Sequence, residues 1–206
     1  MNKKLIPIIA LTFLGIGFLA SWIIHANRPI VLESGVWFGE QARPLPNFSW
    51  TDQKGNTIDR NRLTGKWSLL FFGFTNCPDI CPIGLQMLVT MKQAIEKPAI
   101  RDAIDIYFVS VDPERDTPEQ LAQYLPYFSV DIIGATAPEK ALRPVTGMLG
   151  IMHSIEKSGS DDKNYDVVHS STIVLINPDG EYAGIFSAPH DPKAIANDMT
   201  TIIERN

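Results

Sequence analysis

Both cysteines of this 206-residue chain fall in one short segment, Phe74-Thr75-Asn76-Cys77-Pro78-Asp79-Ile80-Cys81-Pro82. Two sulfurs exclude a four-cysteine zinc or iron–sulfur site within one chain, and also a disulfide-dense scaffold. Three residues separate Cys77 from Cys81, one more than the usual dithiol redox spacing. Each is followed by proline, which steers it away from helical backbone angles. Pro82 suits the first position of a helix, with Cys81 near the cap and Cys77 in the loop before it. Both sulfurs then lie in the field of a helix N-terminus, which favours thiolate over thiol. Metal binding and disulfide exchange both require thiolates. A purely structural disulfide across so small a ring would stabilise the fold by only about 2 kcal/mol. A metal site and a redox dithiol therefore stand as the two chemical readings.

A metal needs a further donor, and His169, in Asp166-Val167-Val168-His169-Ser170-Ser171-Thr172, is the candidate. It follows a polar loop and immediately precedes an apolar run. Two thiolates and one imidazole form a soft, low-coordinate set that suits Cu(I) and can also hold Cu(II), whereas zinc would prefer a fourth ligand. The other histidines rank lower: His25 follows an apolar span, His153 sits in a strand-like run and His190 precedes a helix cap. Met87 and Met91 read as core at helical spacing, and Met148 and Met152 straddle a helix end. Asp79 reads as a turn residue that could also tune the thiolates, and Asp112, Glu114 and Asp116 read as turn and capping residues.

These residues must be positioned by a succession of elements. Phe48–Leu63 reads as a β-hairpin around the turn cluster Asp52–Asn56. Ser68–Phe74 is a short apolar run, as expected of a strand buried on both faces. A helix follows with Ile83, Met87, Leu88, Met91 and Ile95 on one stripe, and Ile104–Val111 is the next strand. Thr117-Pro118-Glu119-Gln120 opens a helix through Phe128 with an N-cap, a first-turn proline and a capping-box glutamine. Asp131–Thr136 reads as strand, Pro138–Leu149 as helix and Ile151–Glu156 as strand. The polar loop Lys157–Asn164 comes next. Ser171–Ile176 and Glu181–Phe186 flank Asn177-Pro178-Asp179-Gly180, a strong hairpin turn. Asp191 caps a last helix with Ile195, Met199, Ile202 and Ile203 on its apolar side. The alternation implies an α/β fold with a mainly parallel central sheet, helices on both faces and an added N-terminal β-hairpin.

Leu5–Ile24 carries no charged residue and is about long enough to cross a bilayer as one helix. Lys3 and Lys4 keep the N-terminus inside, and a cleaved signal peptide is the rival reading. The expected organisation is a cytoplasmic N-terminus over 1–4, a transmembrane anchor over 5–24, a linker over 25–46 and one domain over 47–206. This places the domain in the periplasm, held on the inner membrane. Net charge is −5 for the chain and −8 beyond position 28, where 15 basic residues face 23 acidic ones. Without a basic cluster, nucleic acid is not the expected partner.

Phe72–Pro82 resembles the signature of the Sco/SenC family. Val109-Ser110-Val111-Asp112-Pro113-Glu114-Arg115-Asp116-Thr117-Pro118 is similar to that family's second block, and His169-Ser170 to its metal-binding histidine. The likeness runs from about Phe48 to the C-terminus, plus the N-terminal anchor. Asn76 and Val168 depart from it, where the family commonly has His and Asp. The resemblance implies a thioredoxin-like fold, with Ser171 where thioredoxins carry a cis-proline. It further implies one copper per chain held by Cys77, Cys81 and His169. The implied task is delivery of copper to the copper centre of cytochrome c oxidase subunit II during oxidase assembly. The alternative it leaves is a thiol–disulfide oxidoreductase, with Cys77 and Cys81 as the catalytic dithiol that reduces the target's cysteines before copper loading. Another copper chaperone or a thiol reductant would be further partners.

Overall fold

A computed structural model of the chain describes residues 13–22, 30–156 and 165–206, except the side chains of Glu156, Asp166, Val168 and His169. The chain divides into two units, residues 1–31 and 32–206. In the first, residues 13–22 are helical, and the rest of the span expected to cross a membrane lies outside the described residues. Among the described residues no helix is long and apolar enough to cross a membrane.

The second unit is built on the uninterrupted apolar run read as a buried strand. This run forms β5 (Trp67–Gly73), with every residue buried, and β6 (Ile104–Ser110) lies parallel beside it. Further strands are β1 (Gly35–Trp37), β2 (Arg43–Pro44), β3 (Trp50–Asp52), β4 (Thr57–Ile58), β7 (Ile132–Thr136), β10 (Ile173–Ile176) and β11 (Glu181–Phe186). They make a nine-stranded sheet among the described residues, in the order β1-β11-β10-β5-β6-β7-β3-β4, with β2 also pairing β11. Only β5, β6 and β7 run parallel. The expectation of a mainly parallel sheet is corrected here: the sheet is mixed. A tight hairpin can join only antiparallel strands, so the Asn177–Gly180 turn commits β10 and β11 to that sense, and β10 meets β5 antiparallel. The expected N-terminal hairpin is present as β3 and β4, whose turn is held by the Asp52 carboxylate accepting from the amides of Lys54 and Asn56.

Within the stretch expected to act as linker, β1 and β2 extend the sheet edge. The buried Asp198 carboxylate, on the last helix, receives the amides of Glu33, Ser34 and Gly35 and the Ser34 hydroxyl. A buried carboxylate needs such donors, so this one ties the incoming chain to the domain.

The helices are α1 (Ile80–Ala94), α2 (Pro98–Asp102), α3 (Pro118–Tyr124), α4 (Glu139–Leu149) and α5 (Pro192–Arg205). Thr117 caps α3 as its sequence requires, its hydroxyl accepting from the Gln120 amide, and Asp191 caps α5 through the amides of Lys193 and Ala194. α1 packs against α5 and β5. Its buried face is Cys81, Gly84, Leu85, Leu88, Val89 and Met91, whereas Ile83 is 64% exposed. The stripe expected through Ile83 is thus rotated, because Gly84 is pressed on Phe71: a Cβ there would stand 2.4 Å from the ring.

Candidate metal centre

β5 ends at Gly73, and the chain turns through Phe74–Asp79 into α1. The helix begins at Ile80, two residues earlier than Pro82 suggested. This puts Cys81 inside the first turn and leaves Asp79 at the N-cap, without a side-chain capping bond. Both cysteines are free thiols. Cys77 is half-buried and Cys81 has no exposed surface. Gly73 makes room for Cys81: a Cβ at that position would stand 2.7 Å from Cys81 Sγ and 2.9 Å from the Phe108 ring.

The two sulfurs adjoin. Their side chains hydrogen-bond to each other, and the Cys81 amide donates to Cys77 Sγ at 3.5 Å. Burial pushes the Cys81 thiol well above its ordinary range, and the neighbouring Cys77 and Asp116 add to this. A hydrogen bond from the Phe74 amide opposes it only in part. The expectation that a helix N-terminus holds both sulfurs as thiolates is therefore corrected for Cys81, because desolvation outweighs the helix field. Burial thus favours the thiol form of Cys81 over its thiolate.

His169 ends β9 (Asp166–His169), which pairs antiparallel with β8 (His153–Glu156) as a separate two-stranded sheet. Its backbone stands opposite that of His153, while its side chain lies outside the described structure. The expected polar loop between these strands lies outside it as well. Of the other histidines, His25 lies outside the described residues, and His153 and His190 are engaged elsewhere. His153 Nε2 lies 3.1 and 3.2 Å from the Glu139 carboxylate oxygens, and His190 Nε2 is 2.8 Å from the Ser171 carbonyl. Met91 is core and Met152 is 80% exposed. Among the described residues no cluster of three or more His, Cys, Asp or Glu could hold a metal ion.

The segment after β6 does more than its sequence suggested. Asp112 and Asp116 have no exposed surface. Asp116 accepts from the Thr75 amide at 2.9 Å, the Thr75 hydroxyl at 2.6 Å and the Ser110 hydroxyl at 2.6 Å. Burial raises its pKa, although the Ser110 and Thr75 hydrogen bonds pull the other way. Asp112 receives the Arg115 guanidinium and the Tyr165 hydroxyl. Turn chemistry hid these roles, since Asp-Pro and Asp-Thr-Pro read equally well as exposed turn and cap. Close to the dithiol in sequence, Pro78, Asp79, Ile80 and Ile83 are exposed.

The SCO1/SenC family model matches residues 39–204. A SCO2-like protein of Rickettsia felis is 32% identical over 199 residues, covering 95% of this chain and 96% of that one. Among solved structures, Arabidopsis thaliana ScoI with copper bound superposes with a TM-score of 0.69 at 29% identity, covering 77% of this chain and 98% of that one. Bradyrhizobium japonicum ScoI with copper bound gives a TM-score of 0.66 at 30% identity, covering 76% and 98%. The domain accordingly has the Sco-type thioredoxin-like α/β fold, and the chain belongs to the SCO1/SenC family.

Proposed function

We propose that this SCO1/SenC chain is a copper carrier that binds one copper ion through Cys77, Cys81 and His169 and delivers it to cytochrome c oxidase subunit II during oxidase assembly. One observation carries the reading: the chain's only two cysteines are free thiols and adjoin at the start of α1, in a protein similar to ScoI proteins solved with copper bound. The donor set fits the ion. Two thiolates hold a soft cation, and a third, imidazole donor lets the site follow copper between oxidation states. Copper would have to displace the Cys81 proton, so loading is coupled to proton release. Cys77, half-buried with Ile80 and Ile83 exposed nearby, is the sulfur a partner's ligands can reach first, as ligand exchange demands. The uncharged span 5–24 behind Lys3 and Lys4 supports an inner-membrane tether with the domain in the periplasm.

Titration of the reduced full chain with copper should saturate at about one ion per chain. His169→Ala should weaken binding and change the copper spectrum; an unchanged affinity and spectrum would remove His169 from the site.

A thiol–disulfide role is favoured by a separate observation. Cys77 is half-exposed and accepts the Cys81 amide hydrogen bond, whereas Cys81 is buried and its thiol is pushed up by that burial. That is the division of labour between an attacking and a resolving sulfur. This reading needs both cysteines but not His169. Normal oxidase assembly in a strain carrying His169→Ala would select it over copper delivery.

A further inference from the structure

We propose that Arg115, clamped between Asp112 and Tyr165, is a positioning residue that holds the strand carrying His169 against the cysteine loop. This rests on the three-ligand reading above and adds what makes the third ligand available. β9 pairs with β8 in a sheet of two strands, separate from the main sheet. Such a hairpin is marginal without further support.

The support converges on Tyr165, the residue immediately before β9. Tyr165 is buried, its hydroxyl donates to the Asp112 carboxylate and its carbonyl accepts from Arg115 Nη1 at 3.1 Å. The Arg115 guanidinium lies over the Tyr165 ring, 3.8 Å from its centroid, and 5.6 Å from the centroid of the Phe74 ring. Its Nε donates to Asp112. One guanidinium thus touches the residue that opens the histidine strand and a residue of the cysteine loop. One position along, Asp116 holds Thr75 of the same loop by two hydrogen bonds. The segment is itself fixed, since the amides of Arg115 and Asp116 both donate to the Asp112 carbonyl, and Val111 donates to Gly73. A single rigid turn therefore grips both halves of the site.

The geometry needs arginine. Its planar fork serves a carboxylate and a carbonyl at once while its face lies against aromatic rings. A lysine ammonium can replace the charge but not that combination, so Arg115→Lys should behave as a loss rather than as a conservative change.

The test uses the reduced full chain as wild type, Arg115→Lys, His169→Ala and the double variant. Copper(I) affinity is measured against a competing chelator. Arg115→Lys should weaken binding by about tenfold, the lower end for groups that support a metal ligand. In the His169→Ala background it should change nothing further, because the clamp acts through the histidine strand. An equal loss in both backgrounds, or no loss in either, overturns the proposal while leaving the ligand set intact. If His169→Ala itself has no effect, the three-ligand reading fails. The clamp is then judged on the metal-free protein by hydrogen exchange. There, Arg115→Lys should speed exchange of amides 165–169 by about tenfold while amides 84–91 of α1 stay unchanged; equal rates in β9 refute it. Tyr165→Phe, which deletes only the hydroxyl bond to Asp112, provides a milder variant and should fall between wild type and Arg115→Lys in both measurements.

Discussion

Cys81 sits on a helix packed on a seven-residue strand that is buried along its whole length, whereas His169 ends a four-residue strand with one β partner of equal length. The cysteine half of the site is part of the hydrophobic core. Gly73, Phe108 and Phe71 close around the start of α1 so tightly that a methyl group has no room at Gly73 or Gly84. The strand that ends at His169 is attached from outside, through Tyr165 and the Asp112–Arg115 pair. The difference teaches that the two segments draw on different support: the dithiol on the global stability of the fold, and the strand ending at His169 on a few polar contacts at its edge.

Breaking the core beneath the dithiol should have the largest effect. Leu85→Ala removes a side chain with no exposed surface and should lower unfolding free energy by about 2–5 kcal/mol in a denaturant titration. A smaller loss is expected from Gly73→Ala, about 1–3 kcal/mol from overpacking against Cys81 and Phe108. It should also change the alkylation rate of Cys81, measured by mass spectrometry. If Gly73→Ala were silent in both, the cysteine half would be looser than its packing indicates. Smallest in global terms is Ile155→Ala on β8, a half-buried position that should cost less than about 1 kcal/mol. Its signature is local, namely faster amide exchange confined to β8 and β9. A global loss matching that of Leu85→Ala would erase the distinction between the halves.

Much of this was legible in residue order. Alternation of apolar runs and capped helices gave most of the longer elements to within a few residues, though not β1, β2, β9 or the short α2, and Thr117 and Asp191 cap their helices through the bonds their chemistry predicts. The cysteine segment was legible for a different reason. Proline after each cysteine and a following amphipathic run leave few places other than a loop and the first turn of a helix. Other matters were not legible. Strand sense was missed because an apolar run carries no direction until its neighbour is known. Ile83 was read as core because a helical stripe has two plausible edges, and only Phe71 pressing on Gly84 selects between them. Asp112 and Asp116 passed as turn residues because their donors, Thr75 and Tyr165, lie 41 and 53 positions away.

What the sequence alone determines is therefore the chemistry that is available: one pair of thiols, placed at a helix start, and a histidine ahead of a strand. Those follow from residue type and from backbone preferences acting over a few positions. Tertiary structure decides how that chemistry is distributed. It buries Cys81 so that desolvation outweighs the helix field and favours the thiol over the thiolate, while Cys77 stays within reach of solvent. It also turns two aspartates into the partners of Thr75, Arg115 and Tyr165. Burial and long-range hydrogen bonds depend on which distant segments meet, and no local pattern of residues encodes that meeting.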